Sequence, residues 1–242
     1  VTRLRSALDR TRARLAGGDD RGITLIELLV ATLIFSILLT LVVSAYSTLS
    51  RSITLAGAVD SNVKLSSLGM NEISKVLRFA ATNPVLGHPI NDPAFVTADV
   101  ETLTVYSYVD ANATTPAPVK VTFSLNASRQ LVEQRYAGTA TNGFWSFAST
   151  PSVTRILTGA VIAPSAGERP LFSYQTVTNG TYLTVPSGGL TASQLPQVAA
   201  VTVTMKIKGA SGAGGGASSP MTISNTVGLP NLGLARTGQD MP

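Results

Sequence analysis

Twenty-four consecutive residues, Ile23 to Tyr46, carry one charged side chain, Glu27, and neither glycine nor proline. At 1.5 Å per residue this run predicts a helix of about 36 Å, longer than the roughly 30 Å hydrocarbon core of a bilayer. The helical pattern continues beyond the apolar run. From Ser47 to Ala81 there is no proline, and Ile53, Val63, Leu68, Ile73, Val76, Leu77 and Ala80 approximate one stripe. Arg51, Lys64, Glu72 and Lys75 take the other faces, and Asn83-Pro84 reads as a stop. The expectation is one helix over 23–82, roughly 90 Å long. It would be transmembrane over 23–46 and amphipathic beyond, with Gly57 and Gly69 as the points of bending.

After residue 83 the period changes to two. Thr102–Val109, Val119–Leu125 and Gln130–Arg135 are rich in β-branched and aromatic residues, and Asn126-Ala-Ser-Arg129 between the last two predicts a hairpin. Leu171–Val177 and Thr181–Val185 flank Asn179-Gly180, a second hairpin signal. From Val198 to Lys208, Val201, Val203, Met205 and Ile207 alternate with Thr202, Thr204, Lys206 and Lys208. A Gly-rich surface loop over 209–219 follows, then a last strand over Met221–Val227 and a tail from Gly228 that lies on the surface or is disordered. The fold class is therefore α+β. A long N-terminal helix packs on an antiparallel β-sheet head over 83–242, beyond a basic leader over 1–22.

Composition narrows the chemistry. Of 242 residues only 13% are charged against 44% hydrophobic, which excludes disorder throughout. Cysteine is absent, so disulfides and thiolate sites fall away, and His88 alone cannot build a His-based triad or a multi-His metal site. The net charge of +5 suggests nucleic acid until it is located. Six arginines against three aspartates put +3 into residues 1–22, leaving +2 for everything after, so DNA binding is not indicated. Arginines before an apolar span predict a cytoplasmic N-terminus and an extracytoplasmic head.

Arg21-Gly22-Ile23-Thr24-Leu25-Ile26-Glu27-Leu28 joins a basic leader ending in glycine to an apolar helix with glutamate at its fifth position. This arrangement resembles the processing site of type IV prepilins and of the pseudopilins of secretion and competence systems. The resemblance implies cleavage between Gly22 and Ile23 by a prepilin peptidase and methylation of the new amine of Ile23. It also implies that Glu27 pairs with the α-amine of a neighbouring subunit during assembly. Major and minor pilins and the inner-membrane assembly platform are the implied partners, and no cofactor is expected. The family most often begins its mature chain with Phe where this one has Ile23. The missing cysteines and a mature length of 220 residues resemble a minor subunit, loosely of the J type through Leu77-Arg78-Phe79 and Leu171-Phe-Ser-Tyr174.

Thr32, Ser36, Thr40, Ser44, Thr48 and Ser52 recur every four residues, a row that lets neighbouring membrane helices approach closely. Trp145 reads as a core anchor and Gly212–Gly216 as a linker rather than a phosphate loop. Asp92, Asp99, Glu101 and Asp110 lack calcium-loop spacing. No nucleophile–base–acid set can be assembled, so the expectation is a non-enzymatic subunit of a pilus, pseudopilus or initiating tip complex. The alternatives are an uncleaved, membrane-tethered binding domain and, on thinner grounds, an exported hydrolase on a membrane stalk.

Overall fold

The computed structural model describes residues 22–87, 90–109, 116–177, 180–209 and 218–232. The sequence has glycosylation sequons by rule at Asn112-Ala-Thr, Asn126-Ala-Ser and Asn179-Gly-Thr. His88, Asp110, Asn112, Asn179, the leader to Arg21 and the centre of the Gly-rich loop lie outside the described residues. The chain divides into two compact units, Val1–Arg51 and Ser52–Pro242.

The first unit is helical from Leu25, the start of α1 (Leu25–Arg78). No residue from Gly22 to Ala45 is buried, although Leu, Ile, Val and Phe dominate the sequence. The helix contains an apolar window of mean hydropathy 2.7 with none of it buried. That is the surface of a segment made to meet lipid or other apolar helices.

Among the described residues the second unit holds the end of α1 and nine strands. β1 (Phe95–Ala98), β2 (Thr102–Ser107), β3 (Val119–Leu125), β4 (Gln130–Thr141) and β5 (Phe144–Phe147) lie in sequence order in one antiparallel sheet. The first half of β4 also pairs with β6 (Val153–Ala160). A second antiparallel sheet has the order β7 (Phe172–Thr176), β8 (Val198–Ile207), β9 (Met221–Gly228). The end of β6 joins the two sheets through the Val161–Ile207 bridge and the bond from Ile162 N to Lys206 O.

Helix α1 packs on both sheets. Met70, Ile73, Val76 and Leu77 are buried with Phe95, Leu103, Val121, Phe123 and Leu131 of the larger sheet. Phe172, Tyr174, Val201, Val203, Met205 and Ile207 of the smaller sheet complete the same core. Phe95 and Tyr174 meet edge to face at 6.4 Å. The Tyr174 hydroxyl donates to Asp99 O, and burial holds its pKa well above the ordinary tyrosine value. Polar ties add direction. Ser107 Oγ donates to Val76 O at 2.7 Å, and Asn225 Nδ2 donates to Ser74 Oγ at 3.0 Å.

Several expectations are corrected by this packing. The helix ends at Arg78 rather than Thr82, because the next residues turn to pair with β2. Ala80 bridges Ser107, Ala81 N donates to Tyr106 O, and Tyr108 N donates to Phe79 O. The buried face is Ser66, Gly69, Met70, Ile73, Ser74, Val76 and Leu77, while Leu68 is 66% exposed and Ile53 63%. Thr181–Val185 forms no strand; it meets β7 at the Gln175–Tyr182 bridge, where Thr176 N donates to Thr181 O and Leu183 N to Tyr174 O. Trp145 is half-buried on the β4–β5 hairpin, where it lies over Gly138, and is not a core anchor. The tail is not all surface. Gly228 closes β9, Leu229 is buried, and Asn231 Nδ2 donates to Arg78 O.

Gly69 has a role other than bending. A Cβ there would lie 2.8 Å from Leu157 O of β6, so glycine permits backbone-close packing of helix on strand. Gly69→Ala is expected to destabilise the head by about 1–3 kcal/mol through overpacking. Gly57, with nothing within 4 Å of a built Cβ, should instead gain up to about 1 kcal/mol on the same substitution. Urea denaturation of both variants checks the pair; equal effects at the two sites would contradict the close approach.

Candidate assembly site

Gly22, Ile23 and Thr24 form the extended entry to α1. Ile23 is 77% exposed, and Gly22 has no atom within 4 Å of a built Cβ. No packing among the described residues therefore demands glycine at position 22.

The first turn is fixed by a reciprocal capping box. Glu27 N donates to Thr24 Oγ1 at 3.3 Å, while Thr24 N and Thr24 Oγ1 both donate to Glu27 Oε2, at 3.0 and 3.1 Å. Thr-Leu-Ile-Glu is thus a helix-start signature in its own right. The carboxylate also sits at the helix end where negative charge is favoured. Both bonds fall on Oε2, so Oε1 accepts nothing among the described residues. The box holds the carboxylate one turn into an exposed apolar helix, four residues from Ile23.

The hydroxyl row is tied to its own helix. Thr32 Oγ1 donates to Leu29 O, Ser36 Oγ to Thr32 O, Thr40 Oγ1 to Ser36 O and Thr48 Oγ1 to Ser44 O. Each spends its proton on a carbonyl of the preceding turn, which leaves the hydroxyl oxygen as an acceptor and the side chain short. Ser44 contributes its carbonyl to this ladder.

The head offers a different kind of feature. An open groove of about 280 Å³ is lined by Glu101, Arg129, Val161, Glu168, Leu171 and Lys206, among others. Four of its charges pair with each other, while Arg169, also in the lining, lies over the Tyr182 ring. Arg129 Nη2 meets Glu101 Oε1 at 2.7 Å, and Lys206 Nζ meets Glu168 Oε1 at 2.6 Å. The lysine hydrogen bond is the main cause that holds the Glu168 carboxyl below its ordinary value. No group of three or more His, Cys, Asp or Glu able to hold a metal occurs among the described residues. The sequon at Asn126 has its amide engaged in the β3–β4 turn, where Oδ1 accepts from Ser128 N and Gln130 N.

Sequence reasoning missed a cluster that fastens helix to sheet. Glu133 of β4 is fully buried, and its two oxygens meet Arg135 Nε at 2.8 Å and Arg155 Nε. Both guanidinium groups also reach Glu72 of α1. The Glu133 hydrogen bond is the largest cause raising the Arg155 pKa above its ordinary value. The available signal was the inward period-two set Leu131, Glu133, Arg135, which places acid and base on the core side of one strand.

Comparison with known families adds one match, and it falls on the start of this helix. The model of the prokaryotic N-terminal methylation motif matches residues 18–43, which includes Gly22, Ile23 and Glu27. No curated protein matches the chain. The matched segment is the same exposed apolar stretch that the capping box opens, and it is consistent with a membrane-anchored protein. The chain therefore carries the N-terminal signature of type IV prepilins and pseudopilins.

Proposed function

We propose that this protein is a minor type IV pilin or pseudopilin, a non-enzymatic subunit of a filament or its initiating tip complex. A prepilin peptidase removes residues 1–22, and the amine of Ile23 is methylated. The mature chain keeps its apolar helix in the cytoplasmic membrane, head outside, until an assembly platform passes it into a filament with other pilins. The observation that carries this reading is the methylation motif lying on an apolar helix with no residue buried from Gly22 to Ala45. Such a helix needs a surrounding, first lipid and then neighbouring helices.

Within that assembly Glu27 Oε1 accepts the α-amine of the adjoining subunit. The short side chains of Thr32, Ser36, Thr40 and Ser44, the first three bonded back to their own helix, let helices approach. The long cysteine-free head favours a minor over a shaft role, since a densely repeated subunit has less room for a large head.

Intact-mass measurement of the chain made with and without a prepilin peptidase tests the first step. The expected product begins at Ile23 and carries one added methyl group. An unchanged mass beside an active peptidase would overturn the proposal and leave a membrane-tethered domain.

A further inference from the structure

Between β6 and β7 the chain over 162–171 is fastened at both ends. Ile162 N donates to Lys206 O, and just beyond it Phe172 N donates to Val100 O. Within this segment both oxygens of Glu168 are engaged. Oε1 meets Lys206 Nζ at 2.6 Å, and Oε2 accepts from Ser165 N at 2.9 Å. Arg169, the next residue, has its guanidinium carbon 4.0 Å from the centre of the Tyr182 ring. That ring is itself held, since the Tyr182 hydroxyl shares a hydrogen bond with Thr202 Oγ1 at 3.2 Å. Among the described residues no carboxylate pairs with Arg169.

Beside this cation the head has a cleft. Tyr182 and Leu183 keep to β7 through the Gln175–Tyr182 bridge and the bond from Leu183 N to Tyr174 O. Among the described residues no backbone bond joins 184–186 to β7, because Phe172 N has turned to Val100 instead. The space left is an open cleft of about 380 Å³, lined by the apolar residues Val100, Pro170, Phe172, Leu183 and Val185 and by Arg169. It extends from Tyr182 towards Val185, away from the turn that Thr176 N closes on Thr181 O.

One unmatched cation beside apolar walls selects an anion attached directly to an apolar body. The guanidinium is a planar fork that takes a carboxylate through two parallel bonds. Glu168 does not oppose this, because Lys206 already neutralises it.

We propose that this cleft binds the C-terminal α-carboxylate of a peptide chain ending in an apolar residue. The carboxylate pairs with Arg169 and the last side chain enters the cleft. In a terminal residue both groups hang from one α-carbon, so the two needs are met together. An internal Asp or Glu fails here, because its carboxylate occupies the end of its only side chain. The volume is at the small end for ligand pockets, which suits one or two terminal residues. A long acyl chain would leave most of its length in water. The site is independent of the filament reading.

The test uses the full-length chain in lipid nanodiscs and fluorescent hexapeptides of mixed sequence. They end in each of the twenty residues, as free acids and as amides, and decanoate is titrated in parallel. Free acids ending in Leu, Ile, Val or Phe should bind. Their amides should bind at least about tenfold more weakly, because they forfeit a charge-assisted pair. Arg169→Gln should abolish the preference for the acid, and Arg169→Lys, with the charge but no fork, should keep part of it. Lys120→Gln removes a cation from the other sheet and should change nothing. Circular dichroism checks that the variants fold. Equal binding of acids and amides, no binding at all, or a preference that survives Arg169→Gln would overturn the site. Binding of decanoate without any peptide would overturn the peptide assignment in favour of a free acyl carboxylate.

Discussion

Glu133→Ala is expected to cost the head about 3–5 kcal/mol, the range for breaking a buried ion pair by removing one partner. Two guanidinium groups converge on this carboxylate, and its side chain is 0% exposed. Without it Arg135, 19% exposed, and Arg155, 43% exposed, share only the carboxylate of Glu72. One negative charge then faces two positive ones, and the hydrogen bonds that Glu133 accepted have no replacement acceptor. Glu101→Ala is the matching control, because its pair with Arg129 is about two-fifths exposed and such pairs contribute at most about 1 kcal/mol. Urea denaturation curves of the two variants should differ severalfold in their shift. Equal small shifts would mean that Glu133 is not a structural charge at all.

Glu27→Gln is the second large effect, and it falls on assembly while leaving the fold in place. Glutamine keeps an oxygen acceptor for Thr24, so the capping box survives and helix content should not change. In the proposed assembly, what is lost is the charge offered to a subunit amine. For a charge pair shielded from water that loss is about 2–5 kcal/mol, so filament yield should fall by roughly thirtyfold or more. Thr24→Ala separates the two roles of the motif. It weakens the helix start by about 1 kcal/mol but leaves the carboxylate, and its filament yield should fall only a little. If Glu27→Gln assembled normally while Glu27→Leu did not, the side chain would serve as a cap and the amine pairing would be wrong.

The strands β3, β8 and β9 were legible because in each the sequence period matches the burial period, and the long helix because its apolar run and the stretch after it lack proline. In β8 Val201, Val203, Met205 and Ile207 are inward and buried, as their alternation implies. β6 was hidden because one of its inward positions is Arg155 and another is Gly159, so no apolar alternation marks Val153–Ala160. β5 was hidden differently. Asn142-Gly143 is the same turn dipeptide as Asn179-Gly180, and its two positive φ values, 52° and 82°, match a tight hairpin. The strands it joins are uneven in hydrophobicity, so the turn alone announces them. The helix stripe misled at Leu68, because the packing face follows the small residues Ser66 and Gly69 that allow contact. At the N-terminus the motif was legible from residue types and spacing, whereas the one-sided loading of the Glu27 carboxylate needed coordinates.

The ties between the end of α1 and the strands have a mechanical meaning. Glu72, Ser74, Val76 and Arg78 are each bonded to a separate point on the head: the arginine pair, Asn225, Ser107 and Asn231. All four lie within seven residues of one rigid rod. A pull along the helix axis loads them together in shear, so none can fail until the others stretch with it. The head is thus attached as a lap joint, strongest in the direction along which a subunit would be drawn by its helix.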